Sequence, residues 1–220
     1  MDFNINTTIA SNALPFLLKG TLTSLGLWVI AMIIGFVSGT LLGVGQTRGP
    51  KTLQCGITAY VWLIQGTPMI VQISFLYYLL PMLGINFSGF WTAAIAIGVN
   101  SSAYVSQIIR SGINAVATGT IEAAQVLGFS NTQTIWHIIL PQALRIVLPA
   151  LGNEGTTLIK DTSLASIIGV MELYKVATGF INQTYDVVTL FVMIAIIYLI
   201  LTSTFSTAIT VLQKRMNKAC

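Results

Sequence analysis

The chain has 220 residues, of which 55 % are hydrophobic and only 7 % charged, and its formal net charge is +4; the mean hydropathy is +0.83. A soluble domain carries roughly 25 % charged residues, so this composition excludes water as the main solvent. The small positive excess reads as the loop bias of a membrane protein rather than as the footprint of an anionic partner, and no nucleic acid is expected.

The charges leave three long gaps, from Lys19 to Arg48, from Lys51 to Arg110 and from Asp186 to Lys214. A helical crossing needs about 20 apolar residues, so the outer gaps hold one crossing each and the middle gap holds two. Segments of about ten residues with alternating polarity, the mark of a membrane β-barrel, are not found. The fold class is therefore all-α, a polytopic bundle of about five transmembrane helices.

In chain order, residues 1–19 form an external N-terminal segment. Its start, MDFNINTTIASN, is polar and acidic and lacks the basic, then apolar, profile of a cleavable signal. The first crossing spans about 20–45 and carries Gly35, Gly39 and Gly43 at four-residue spacing, a small-residue face for close helix packing. Arg48 and Lys51 mark a cytoplasmic turn. The second crossing, about 56–80, is interrupted at Gly66-Thr67-Pro68, because proline removes a backbone donor and drives the preceding residue out of helix. In lipid such a break is tolerated only beside protein or a water-lined cavity. Pro81 and Gly84 close this helix.

The third crossing, about 90–110, ends at Arg110, and a long cytoplasmic segment, 112–145, follows. The fourth crossing spans about 146–170 and the fifth about 187–212, before a cytoplasmic tail, 213–220. The N-terminus is then outside and the C-terminus inside. Seven of the ten lysines and arginines (48, 51, 110, 145, 214, 215 and 218) fall at cytoplasmic ends. Residues 20–212 make one membrane domain, with no inverted repeat of the kind secondary carriers use. The two cysteines, Cys55 and Cys220, are read as unpaired thiols.

Chemistry is scarce. His137 is the single histidine and has no Ser or Cys in register for nucleophilic work. No phosphate-binding GxxxxGK[ST] loop occurs, so no catalytic residue, metal site or cofactor is assigned to this chain. Uphill transport would have to draw its energy from a partner.

The segment 112–145 is far longer than the roughly five residues a plain connection needs. It reads as two short helices bent at Gly128, with Pro141 resetting direction before the next crossing. Within it, Glu122-Ala123-Ala124, then Gly128, then Ile138, Leu140 and Pro141 complete the pattern E-A-A-x3-G-x9-I-x-L-P. That pattern resembles the coupling segment of ABC importer permeases of the type I fold. The resemblance implies that Glu122–Pro141 docks on a cytoplasmic ATPase. It extends from about Gly20 to Lys218: Gly66-Thr67-Pro68 with Val71-Gln72 and Tyr77-Tyr78, Ala103-Tyr104-Val105, Pro141-Gln142-Ala143-Leu144-Arg145 and Leu158–Leu164 look like the polar amino-acid branch.

The implied function is the permease subunit of an ATP-driven importer for a polar amino acid of the glutamine, arginine or histidine class, in a bacterial inner membrane. Implied partners are two ATP-binding subunits, which hold ATP and Mg, an external amino-acid-binding protein, and a second permease copy or close relative, as homodimer or heterodimer. An ion channel or small secondary carrier is the alternative, and a membrane enzyme a more distant one. Two positions depart from the branch: Gln65 and Gln107 stand where an arginine and a glutamate are common. Losing both charges together costs little if they pair and several kcal/mol if only one goes, so the two positions are expected to touch.

Charges at membrane depth default to functional candidates. By helical arithmetic Glu154 and Asp161 share a face with Thr157, while Asn153 and Lys160 fall on the neighbouring one; Asn100, Tyr104 and Gln107 share a face of the third crossing. These eight residues are the expected substrate path, with helix packing or a protein boundary as the other reading for Lys160 and Asp161.

Overall fold

The computed structural model describes residues 5–218. The first four residues of the expected external segment and the last two of the tail, with Cys220, lie outside the described residues. Cys55 is free and exposed.

Helix α1 (Thr7–Arg48) is capped by Asn6, whose Oδ1 accepts from the backbone N–H of Thr8 and Ile9 at 3.1 and 3.2 Å. The helix therefore starts at Thr7 and not near Gly20, so the expected boundary at residue 19 lies inside it. Lys19 does not stop it because that side chain is exposed, whereas Ala13, Leu17 and Gly20 are buried on the other face. Its 42 residues span about 63 Å, twice the roughly 30 Å of a bilayer core.

The glycine stripe seats α1 against α4 (Gly89–Ala115). A Cβ added at Gly39 would lie 2.6 Å from Val105 Cβ and 2.8 Å from the Ser102 carbonyl oxygen. Without a hydrophobic force between helices in lipid, such close approach is what holds them together.

The second crossing is broken where proline places it. α2 (Lys51–Gln65) and α3 (Met69–Met82) meet at a bend of 102°, with Pro68 as the N-cap of α3. After α4 comes α5 (Thr118–Val126), ended by Gly128 at φ +83°. Ser130 and Gln133 then form a capping box that opens α6 (Asn131–Gln133).

From there the structure departs from the expected second short helix. A π-helical stretch, Thr134–Ile139, carries α6 directly into α7 (Leu140–Asp161), and Pro141 does not reset direction. The widened π turn ahead of it accommodates the missing N–H and the proline ring within a continuous helix. The helix that carries the fourth span consequently begins at Asn131, ahead of the expected span start near Ile146. Beyond Asp161 the chain tightens into a 3₁₀ turn, Thr162–Ile168, closed by Gly169 at φ +82°. α8 (Leu173–Thr184), at 12 residues, is too short to cross, and α9 (Val187–Lys218) makes the last span.

Among the described residues four helices are long and apolar enough to cross, or five with the bent pair as one. α4 is the central helix. Ala93, Ile97, Leu27, Ala31 and Leu158 fill the bundle on one side of its midpoint, and Val105, Ile109, Ala143 and Val147 fill it on the other. A separate cluster of Ala13, Leu17, Leu173, Ala177 and Leu190 seats α8 between α1 and α9.

Candidate functional site

A helix break leaves carbonyls at the end of one half and N–H groups at the start of the other without partners. Gln72, one turn into α3, answers part of that need. Its Nε2 reaches the Ile64 carbonyl at 2.8 Å, the Thr67 carbonyl at 3.1 Å and Thr67 Oγ1 at 2.8 Å. Its Oε1 accepts from Asn100 Nδ2 at 3.0 Å. One glutamine thus folds the Gly66-Thr67-Pro68 turn and ties it to α4.

Beside that turn lies a cavity of about 500 Å³. Its walls are the turn itself with Gln65 and Met69, Asn100 and Tyr104 from α4, and Glu154, Thr157 and Asp161 from α7. Glu154 Oε1 accepts from Ser101 Oγ at 2.7 Å. Ser101 is fully buried, so the glutamate is anchored from behind and presents its remaining acceptor capacity to the cavity. A slightly larger groove, about 580 Å³, runs along the outer side of α3 past Ile70, Phe75, Tyr78 and Met82. It is almost wholly apolar and offers no comparable chemistry.

Of the eight expected path residues, five line the cavity: Asn100, Tyr104, Glu154, Thr157 and Asp161, together with the broken-helix residues Gly66, Thr67 and Pro68. Asn153 and Lys160 are exposed on the neighbouring side of α7 and do not line it. Gln107 points elsewhere. Its Nε2 donates to Gln46 Oε1 at 2.8 Å, and Gln46 Nε2 donates to Thr58 Oγ1 at 3.0 Å. The expected Gln65–Gln107 contact is therefore corrected: Gln65 stands at the cavity wall, and Gln107 is held in a polar chain linking α4, α1 and α2. Gln107 falls near Asn100 and Tyr104 by helical spacing, but the neighbour it meets is set by how α1 packs.

The expected coupling residues divide into two sets. Glu122, Ala123, Gly128 and Pro141 are exposed, while Ala124 and Leu140 are buried and Ile138 is half-buried. Leu140 belongs to a buried cluster with Ile113 and Ile139, against which Ile121 of α5 packs, and α5 lies against the π-helical stretch. Sequence reading missed the exposed apolar residues of this segment, Val126 at 87 % and Leu127 at 76 % exposure, together with Phe129 and Trp136. Their signal was available as apolar side chains in a segment between charged ends. Gln72 and Ser101 were missed as site partners because nothing local distinguishes them.

The family model described as "Binding-protein-dependent transport system inner membrane component" matches residues 39–218. The chain is 35 % identical over 207 residues to the glutamine transport system permease protein of Escherichia coli K12, covering 93 % of this chain and 94 % of that one. It is 38 % identical over 202 residues to a protein of Rickettsia conorii provisionally named as a glutamine transport system permease, covering 91 % and 93 %. It also superposes on the crystal structure of an amino acid ABC transporter with histidines, with TM-score 0.86 and 32 % identity, covering 98 % of this chain and 100 % of that one.

Proposed function

The chain belongs to the family of binding-protein-dependent transport system inner membrane components, and on that premise we propose that it is the permease subunit of an ATP-driven importer for a polar amino acid, glutamine first among the candidates. The observation that carries this reading is the polar cavity at the helix break. A 500 Å³ space with two carboxylates, two amides and three hydroxyls is sized and furnished for one small zwitterion. Glu154 and Asp161 receive the ammonium. The first turn of α3 opens at Pro68 on the cavity wall, so its free N–H groups and dipole receive the carboxylate. Thr67, Asn100 and Tyr104 serve the side chain.

The importer sits in a bacterial inner membrane, with the α5 end of the bundle toward the cytoplasm. There Val126, Leu127 and Phe129 form an apolar tip that enters a groove of the ATPase, with Glu122 at its edge. ATP and Mg belong to that partner, and two copies of it serve the pair. Asn153 and Lys160 are exposed polar residues on a membrane-spanning helix, on the side away from the cavity, which lipid does not tolerate. A second permease copy covers them. An external binding protein delivers the amino acid from the other side.

The test is uptake by the complete complex in proteoliposomes. Labelled glutamine should accumulate only with ATP inside and binding protein outside, and unlabelled arginine and histidine rank the selectivity. Accumulation that persists without ATP would favour a channel or secondary carrier and overturn the proposal.

A further inference from the structure

Among the described residues Glu172 is the only fully buried acid, with 0 % exposed. It lies in the connection between the fourth and fifth spans and is the N-cap of α8. Its Oε1 accepts from Lys175 N at 2.7 Å and its Oε2 from Tyr174 N at 2.9 Å. Two hydroxyls from other helices, Ser24 Oγ of α1 and Tyr198 OH of α9, donate to Oε2 at 3.4 Å each. Ser24 Oγ in turn accepts from Leu173 N at 3.2 Å.

This convergence depends on Gly20, one turn before Ser24. A Cβ there would lie 3.0 Å from Leu173 Cα and 3.1 Å from the Glu172 carbonyl, so any larger residue presses α1 off the start of α8. The Tyr198 hydroxyl also faces Thr162, a buried residue that directly follows the cavity-lining Asp161. Tyr198, Glu172 and Ser24 thus form a hydrogen-bonded hub that joins α9, α8 and α1, with Thr162 at the end of α7 beside it and Asp161 of the cavity wall the residue before Thr162 in sequence.

A buried ion usually survives through a counter-ion, yet the groups acting on Glu172 are donors and no cation is among them. Charge neutralisation is thus not what the residue supplies. What it supplies is geometry, since one carboxylate with about four acceptor positions joins three helices and, through Tyr198, the end of α7.

We propose, on the basis of the transport reading above, that Glu172 is a positioning residue for transport, which makes α8, α9, α1 and the α7 end of the cavity move as one body when the cavity changes its access. Loss of this hub lets the cavity end of α7 relax while the rest of the cycle continues. ATP is then hydrolysed without a matching amino acid movement.

The experiment compares wild type, Glu172→Gln and Tyr198→Phe in the complete complex with ATPase and binding protein in proteoliposomes, using labelled glutamine, or arginine or histidine if glutamine is not moved. Both variants should raise the ratio of ATP hydrolysed to amino acid imported, roughly tenfold for Glu172→Gln and roughly threefold for Tyr198→Phe. The KM for the loaded binding protein should stay within about twofold of wild type. A purely structural role would lower hydrolysis and uptake in proportion and leave the ratio unchanged, which would overturn the inference while the transport reading stands. A wild-type complex that imports none of the three amino acids would overturn the transport reading, and this inference with it. Should Glu172→Gln fail to assemble, Tyr198→Phe decides, because it keeps the ring and removes only the hydroxyl; a wild-type ratio there would overturn the inference.

Discussion

Glu154 and Glu172 are withdrawn from solvent by the same bundle, yet they are furnished in opposite ways. Glu154 accepts one hydrogen bond from a side chain, Ser101, and otherwise faces a cavity it shares with Asp161. Glu172 accepts from two backbone N–H groups and two hydroxyls and is sealed. A carboxylate has about four acceptor positions, so the first is mostly unfilled and the second is full. The unfilled acceptor capacity, more than the charge or its depth, separates the group held ready for a ligand from the group that holds helices.

The largest effect that could break this contrast is on stability. Glu172→Ala strands two backbone donors and two hydroxyls, and should cost about 3 kcal/mol, read as a lowered thermal midpoint of the detergent-purified complex. A loss under about 1 kcal/mol would remove the structural half of the contrast. Glu154→Gln should do the reverse, leaving the midpoint nearly unmoved while uptake falls on the order of tenfold. A matching loss of stability would make Glu154 another packing residue.

A third change sits between the two. Asn100→Ala removes the bond that ties the helix break to α4 and should cost about 1 kcal/mol while also loosening the cavity. Both the melt and the uptake assay should register it, each less than the glutamate variants do.

Acidity sharpens the contrast further. Burial pushes the Glu172 carboxyl from its ordinary 4.5 up to about 7, against the lowering pull of its donors. The folded state therefore holds this proton more tightly than the unfolded one. Its stabilising contribution is full below about 4.5 and is lost as pH rises to about 7. Thermal midpoints of wild type and Glu172→Gln should diverge across that window, with wild type the one that falls. Parallel pH profiles would show that the carboxyl keeps its ordinary acidity.

The smallest expected effect is a null. Gln65→Arg and Gln107→Glu should show no rescue in a double-mutant cycle, because Gln107 is bound to Gln46. Coupling between them above about 0.5 kcal/mol would mean that the two residues meet in another state of the cycle.

What the sequence made legible follows from rules that act within one segment. Pro68 breaks a helix wherever it stands, the glycine stripe announces a close helix contact, and Glu154 and Asp161 are conspicuous because charge is rare at membrane depth. What stayed hidden depends on rotation between helices. Ser101 behind Glu154, Gln72 on Asn100 and Gln46 on Gln107 are ordinary polar residues until packing brings them together. Nothing local singles out Glu172, because its role arises only when Ser24 and Tyr198 arrive from helices far away in sequence. The π-helical stretch was hidden for a related reason: Pro141 reads as a stop unless the preceding turn widens to accept it.

The central claim is that the cavity at the helix break receives the amino acid. Equilibrium binding of labelled glutamine, or of arginine or histidine, to the detergent-solubilised complex without its binding protein tests it most directly. The account predicts saturable binding by wild type and by Glu172→Gln, and a rise in Kd of at least about tenfold in Glu154→Gln. Equal affinity in wild type and Glu154→Gln would contradict it.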